Sequence, residues 1–194
     1  MRRIIYNIIS VVFTSIKFAV IKIFHFKTFH YKGIQRFSPN TEVIISGGKS
    51  RLTLGEKVRV HRRSKISVSN GGNLVLGDNV ALGNGVSIYC FDSIEIGDYT
   101  ELGQDTKIYD HDHDFRVPGG YKERKFKTRS VKIGKNTWIG CNVVILRGTI
   151  IGDNCVVGAG CILNGEYPDN TIIVQKRFTQ EIKYTFVEGN DKNA

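Results

Sequence analysis

The sequence predicts a three-sided parallel β-solenoid, and three observations carry the prediction. From Ile133 to Leu163 an aliphatic residue recurs every six positions, at 133, 139, 145, 151, 157 and 163. Glycine usually follows it, and a small or β-branched residue (Thr137, Val143, Thr149, Cys155, Cys161) stands four places on. The same register returns upstream at Leu54 and Val60, at Leu76 and Leu82, and at Ile96, Leu102 and Ile108. Neither a helical period nor simple alternation explains a period of six. A fixed short repeat means one unit stacked on copies of itself, each unable to bury its apolar side alone. Six residues make a short strand and a bend, and three such units close a triangular coil of 18. The aliphatic residue points inward, the small residue fills an inner corner, and Gly or Asn takes the bend, where positive φ is tolerated.

At 194 residues the chain is expected to form one solenoid domain, which grows by stacking and does not divide. Its 28 Lys and Arg against 18 Asp and Glu give a formal charge of +10 and call for an anionic partner. Cys90, Cys141, Cys155 and Cys161 lack a C-x-x-C spacing and a nearby histidine cluster. Cys155 and Cys161 occupy the same slot on successive faces and are expected as buried, reduced thiols in a cytoplasmic protein.

Taken in order, residues 1–40 read as an amphipathic helix and a basic linker. Asn7, Ser10, Thr14 and Lys17 form one polar stripe in an otherwise apolar run from Ile4 to Phe26. Lys17 and Lys22 interrupt that run before it reaches the length of a spanning helix. No small-residue cleavage site marks a secretory signal. Residues 1–40 hold seven Lys or Arg and no acid, so residues 1–26 either lie on an anionic membrane or pack on protein. Residues 27–53 are expected to cap the open end of the solenoid, whose backbone groups need cover.

The solenoid is expected over 41–174 with one interruption. Ile133 to Ile151 spans 18 residues, but Ile96 to Ile133 spans 37. The extra length is a loop over 111–132 that leaves the unit Ile108-Tyr109-Asp110-His111-Asp112-His113 and carries many cations against Glu123. A long insertion in a regular stack is usually functional, because it interrupts favourable packing. After Leu163 come a turn, a last strand at 171–174, and a tail over 175–194, with 189–193 expected to be disordered.

These features resemble the hexapeptide-repeat acyltransferases, whose fold is a left-handed parallel β-helix; the handedness is taken from the resemblance. Among them the galactoside and maltose O-acetyltransferase branch places its catalytic histidine sixth in the unit from which the extended loop departs. Counted from Ile108, that residue is His113, followed by Asp114-Phe115 as in the family. The resemblance therefore implies His113 as general base, a task that suits an imidazole. His111, Asp110 and Asp92 are assigned to the acceptor side or to supporting the base. Trp138-Ile139-Gly140-Cys141 matches the family's Trp-Ile-Gly-Ser/Ala segment. There Trp138 would wall the pantetheine slot, and the Cys141 N–H would meet the thioester carbonyl.

Val157-Gly158-Ala159-Gly160 matches the next cofactor-lining segment. The family's Thr-Lys pair and Gly-x-Pro-Ala ending are replaced here by Asn164-Gly165 and Val174-Gln175-Lys176-Arg177, which leaves Lys176 and Arg177 as candidates for the nucleotide phosphates. Gly33-Ile34-Gln35-Arg36 before Ser38-Pro39 resembles acyltransferases of bacterial surface-polysaccharide pathways.

The expected function is acetyl-CoA-dependent O-acetylation of a sugar, possible also on a lipid-linked acceptor, by a homotrimer in the cytoplasm or on the inner face of the cell membrane. In such a trimer His113 of one chain meets the cofactor-lining residues of its neighbour. No metal is expected: the related γ-class carbonic anhydrases use three histidines, and beyond His111 and His113 only His61, two coils earlier, is a candidate. The other readings are N-acylation of an amino sugar, a non-catalytic scaffold, and a nucleic-acid binder prompted by Tyr121 and Phe126 in the basic loop. No nucleic-acid motif accompanies the last.

Overall fold

A computed structural model describes residues 2–176 and Glu181. Helix α1 (Arg2–His25) is followed by 22 short strands. Three parallel sheets collect them into the faces of a prism, with seven, seven and six strands. Each coil visits the first, second and third face in turn, so strands three apart in sequence are neighbours in space, or five apart where the inserted hairpin adds two. The repeat register is kept throughout: Leu52, Leu74, Ile94 and Val131 stack on the first face, and Val60, Leu82, Leu102, Ile139 and Val157 on the second. All of these are buried in one continuous core. The fold is thus the left-handed β-helix of the hexapeptide repeats.

The inner corners hold the small residues that the spacing assigns to them. Thr100, Thr106, Thr137 and Thr149 are buried, and each hydroxyl donates to a carbonyl of the next coil, as Thr100 does to Gly134 O at 2.7 Å. A buried hydroxyl needs a partner, and the stacked carbonyl provides one. Cys155 and Cys161 take the same slots as buried free thiols, whereas Cys141 is exposed. At the outer bend between first and second faces, Asn79, Asn136, Asn154 and Asn170 adopt φ of 53° to 59°. The aspartate before the bend caps the coil beneath, with Asp78 accepting from Glu56 N–H, Asp98 from Asp78 N–H and Asp169 from Asp153 N–H, each at 2.7 Å.

Stacking begins earlier than the hexapeptide spacing indicates. Phe29–Tyr31 pairs with Arg51–Leu54, and Arg36–Phe37 with Arg59–Val60, so residues 29–45 form the first coil and not a linker. Its inward residues are Phe29 and Phe37, both fully buried, in place of the aliphatic-glycine pairs that mark later coils. Capping falls to α1. Phe18 packs edge-on against Phe29 and Phe37, with ring centroids 4.8 and 5.0 Å away.

The polar stripe of the helix faces this end and not the solvent. Thr14 Oγ1 accepts from Phe37 N–H at 2.8 Å, Lys17 Nζ donates to Thr41 O, and Ser10 and Thr14 are 1% and 2% exposed. The end coil has backbone groups with no strand to pair with, and the Thr14 hydroxyl and the Lys17 ammonium satisfy two of them. At the other end Ile172–Ile173 closes the second face, as expected for the last strand. The segment 189–193 lies outside the described residues.

Candidate active site

The inserted loop leaves the third face at the end of the strand Lys107–Tyr109. It is an ordered hairpin: His111–His113 pairs antiparallel with Phe126–Thr128, and a 3-10 turn spans Gly120–Glu123. Ion pairs hold it to the body and to itself, among them Asp112 to Arg147 Nε at 2.5 Å and Asp114 to Lys127 Nζ at 3.2 Å.

Asp110 sits where the coil turns into this hairpin. By alternation from Ile108 it belongs to the inward column of Ile45, Val68 and Cys90, and its side chain is fully buried. An isolated buried carboxylate is costly, so it must be hydrogen-bonded. Asp110 accepts from Phe91 N–H at 2.9 Å, from Asp92 N–H at 2.8 Å and from His111 Nδ1 at 3.0 Å. Burial pushes its pKa up, but the bonds from His111, Phe91 and Asp92 outweigh it, and the carboxyl lies below its ordinary range. The same carboxylate, with burial as the larger cause, pushes the Cys90 thiol far up and keeps it protonated.

His111 is therefore locked. Its ring stacks on Phe91 with centroids 3.7 Å apart and planes 6° apart, while Phe126 meets it edge-on at 5.5 Å. With Nδ1 held by Asp110, its tautomer and orientation are set by a carboxylate. His113, two residues on, is exposed and lies against Phe126 at 4.7 Å, so its imidazole is presented outward from the hairpin. Asp92 is exposed and contributes its backbone N–H to Asp110. Phe91 is not singled out by the sequence motif, and Phe126 only as a ring of the basic loop; the signal for Phe91 is its place one coil before His111 on the same column.

The segments expected to line the cofactor gather elsewhere. Trp138, Gly140 and Cys141 stand at the end of the second face in the fifth coil, with Gly158 and Ala159 stacked on them in the sixth. Val174, two-thirds exposed, continues the column in the seventh. Trp138 is 59% exposed, and Cys141 and Ala159 are also exposed. The coil-to-coil ladder uses Gly140 N–H, to Val157 O at 2.8 Å, and Asn142 N–H, to Gln104 O at 2.8 Å. It leaves out the Cys141 N–H between them. Gly140 is required by stacking, because a Cβ there would lie 2.7 Å from Ala159 N.

An extended, amide-bearing pantetheine arm fits such a strip of exposed small residues, apolar side chains and an N–H outside the ladder. Lys176 is exposed beyond the end of the strip, and Arg177 lies outside the described residues.

Within one chain the two halves do not meet. The histidine hairpin leaves the corner between third and first faces, whereas the Trp138 column stands at the corner between second and third. A face of about six residues separates them by roughly 15–20 Å. His61 also stands at the second-to-third corner, so it does not lie beneath His113.

A family model described as "Bacterial transferase hexapeptide (six repeats)" matches residues 130–165. A protein of Escherichia coli, WbbJ, named for O-acetyl transfer in lipopolysaccharide biosynthesis, is 32% identical over 151 residues, covering 68% of this chain and 74% of its own. A protein of Mycobacterium tuberculosis named as a probable acetyltransferase is 33% identical over 146 residues. That match covers 74% of this chain and 48% of the relative, so the chain spans about half of that protein's length.

Among solved structures, AntD, an N-acyltransferase of Bacillus cereus crystallised with dTDP and coenzyme A, superposes with a TM-score of 0.63 at 20% identity, over 79% of this chain and 82% of its own. A hexapeptide-repeat acetyltransferase of Vibrio cholerae gives 0.50 at 22% identity, over 81% and 73%. The register of the coils, the interrupted fourth coil and these matches together make the chain a member of the hexapeptide-repeat acyltransferase family.

Proposed function

We propose that the protein is an acetyl-CoA-dependent O-acetyltransferase acting on a sugar hydroxyl, and that it works as a homotrimer with each site shared by two prisms. The observation that carries this reading is the separation just described: an exposed imidazole at one corner, and at another an exposed Trp beside an N–H that the ladder leaves out. Three prisms related by a threefold axis bring unlike corners together at every interface, which a single chain cannot do.

In the reaction the acceptor oxygen attacks the thioester carbonyl while His113 takes its proton. The Cys141 N–H stabilises the oxyanion that develops, and collapse expels the coenzyme A thiolate, which takes from His113 the proton that the acceptor hydroxyl gave up. His111, fixed by Asp110 and Phe91, positions the start of the hairpin that carries His113. The name of WbbJ supports oxygen as the acceptor atom and a surface polysaccharide as the product. The test is free-thiol release from acetyl-CoA against sugars, amino sugars, nucleotide sugars and lipid-linked oligosaccharides. The expected product is labile to hydroxylamine, as an ester is. A hydroxylamine-stable amide would assign N-acylation, and no thiol release from any acceptor would leave a scaffold.

Membrane contact is the second part of the proposal. Contrary to the expectation that Lys17 and Lys22 cut the run short, the segment Ile5–His25 is long and apolar enough to cross a membrane by length and composition, with a mean hydropathy of 1.8. Its polar stripe, however, is spent on the prism, so the helix lies across the end of the solenoid. Ile8, Val12, Ile16, Ile23 and Phe24 are each more than half exposed on the other side. An apolar face of this size bordered by Lys and Arg, with no acid from 1 to 40, is complementary to an anionic bilayer. The full chain is expected to co-sediment with phosphatidylglycerol vesicles, less so at high salt, and the pair Ile16→Glu and Ile23→Glu should weaken binding at least tenfold. Equal recovery of both proteins, or a change only in oligomeric state, would assign the face to protein contact instead.

A further inference from the structure

Successive residues of the hairpin strands point to opposite sides, and directly opposed residues share a side. His111, His113, Phe126 and Thr128 therefore lie on one side, and Asp112 and Lys127 on the other. The ring side rests on the third coil, where Phe91 stacks on His111 and meets Phe126 edge-on at 4.9 Å. The charged side turns to the fifth coil, where Arg147 Nε donates to Asp112 at 2.5 Å. The hairpin is thus clamped between the third coil and the fifth.

The backbone beneath Arg147 is fixed to the root of the same hairpin. Gly148 N–H donates to Arg129 O at 3.0 Å, and Arg129 N–H donates to Asp110 O at 2.9 Å. Gly148 has a φ of 79°, and a Cβ there would stand 2.6 Å from Arg129 Cδ, so glycine lets this bend close onto the returning leg. Lys127, opposite Asp112, is engaged with Asp114 at 3.2 Å, and Arg129 with Glu166 at 4.0 Å. Asp112 takes Arg147.

This pair does little for folding. The Arg147 side chain is 35% exposed and that of Asp112 54%, and ion pairs so open to water add little stability. What the pair can set is an angle. Asp112 directly precedes His113, so the tilt of the hairpin at Asp112 decides where that imidazole reaches.

We propose that Arg147 is a positioning residue for the transfer: it holds Asp112, and through it the hairpin, at the tilt that delivers the His113 imidazole to the acceptor. The proposal rests on the reading of His113 as general base. A misplacement of about 1 Å at a reacting group can cost about 10²-fold in rate, so a pair that is weak in folding can be strong in kinetics.

The test is steady-state acetyl transfer by the full chain, read beside amide hydrogen exchange over 111–113 and 126–128. Arg147→Ala is expected to lower kcat by roughly 5–50-fold, with the KM for acetyl-CoA and the thermal midpoint unchanged. Exchange of the hairpin amides should quicken, and Arg147→Lys should restore most of kcat. Asp112→Ala should cost the same, and the double variant no more than either single one. In the His113→Ala background Arg147→Ala should cost nothing further, because no imidazole is left to misplace.

An unchanged kcat in Arg147→Ala, a raised acetyl-CoA KM at constant kcat, or a full further loss on top of His113→Ala would overturn the proposal. The second of these would assign Arg147 to the coenzyme A phosphates instead. Hydrogen exchange is read without turnover, so a hairpin loosened by Arg147→Ala in a chain whose rate does not depend on His113 would overturn the base assignment and leave the strut standing.

Discussion

Replacement of His113 by Ala is expected to lower acetyl transfer by about 10²–10⁴-fold while the solenoid keeps its thermal midpoint. The side chain is exposed, lies against the ring of Phe126 and stands on an inserted hairpin, so little of the stack depends on it. A loss of this size with unchanged coenzyme A binding is the signature of a proton acceptor, since the cofactor column stands at another corner. If His113→Ala keeps its rate and His111→Ala loses it, the base is the imidazole that carries the carboxylate partner. Steady-state rates on both variants, with coenzyme A affinity measured separately, decide between them.

The second large effect is expected from Asp110→Asn. Asn presents one acceptor oxygen and an amide donor to three donors, the N–H groups of Phe91 and Asp92 and His111 Nδ1. At least one donor then goes unsatisfied in a fully buried place, a cost of about 2–4 kcal/mol in unfolding free energy. Transfer should fall as well, because the His111 ring and the root of the hairpin lose their anchor.

The pH dependence carries a sign. The native carboxyl lies below its ordinary pKa, so its contribution is fully present above the usual carboxylate range and is lost as pH falls through the native pKa. Chemical denaturation of wild type and Asp110→Asn across the acid range should therefore converge as pH drops. Parallel curves would mean that Asp110 is not held as described.

Much of this arrangement could be read from the chain because a solenoid repeats its physics. A buried aliphatic residue, a bend and an inner-corner hydroxyl recur in each unit, so period and interruption alone located the coils and the hairpin. The first coil escaped because aromatic rings replace the repeat there: Phe29 and Phe37 are large enough to meet Phe18 across the open end. The inverted helix escaped for a different reason. A polar stripe is ordinarily turned to water, but Thr14 and Lys17 bond backbone groups that only the end of the stack leaves open, and Ser10 is buried beside them.

Asp110 was in view as an acidic neighbour of the histidines, and strict alternation from Ile108 already turns it inward. What local spacing cannot convey is which corner of a neighbouring prism faces His113, because that depends on contacts between chains.

Complementation between two inactive variants tests the shared site most directly. His113→Ala lacks the proton acceptor, and Cys141→Trp fills the strip beside the N–H that the ladder leaves out. Mixed at random into trimers, the two should restore about a quarter of the wild-type sites, since each interface takes the histidine from one chain and the column from the next. Activity that stays at the level of the separate variants, in trimers shown to be mixed, would place both halves of the site in a single chain and contradict the account.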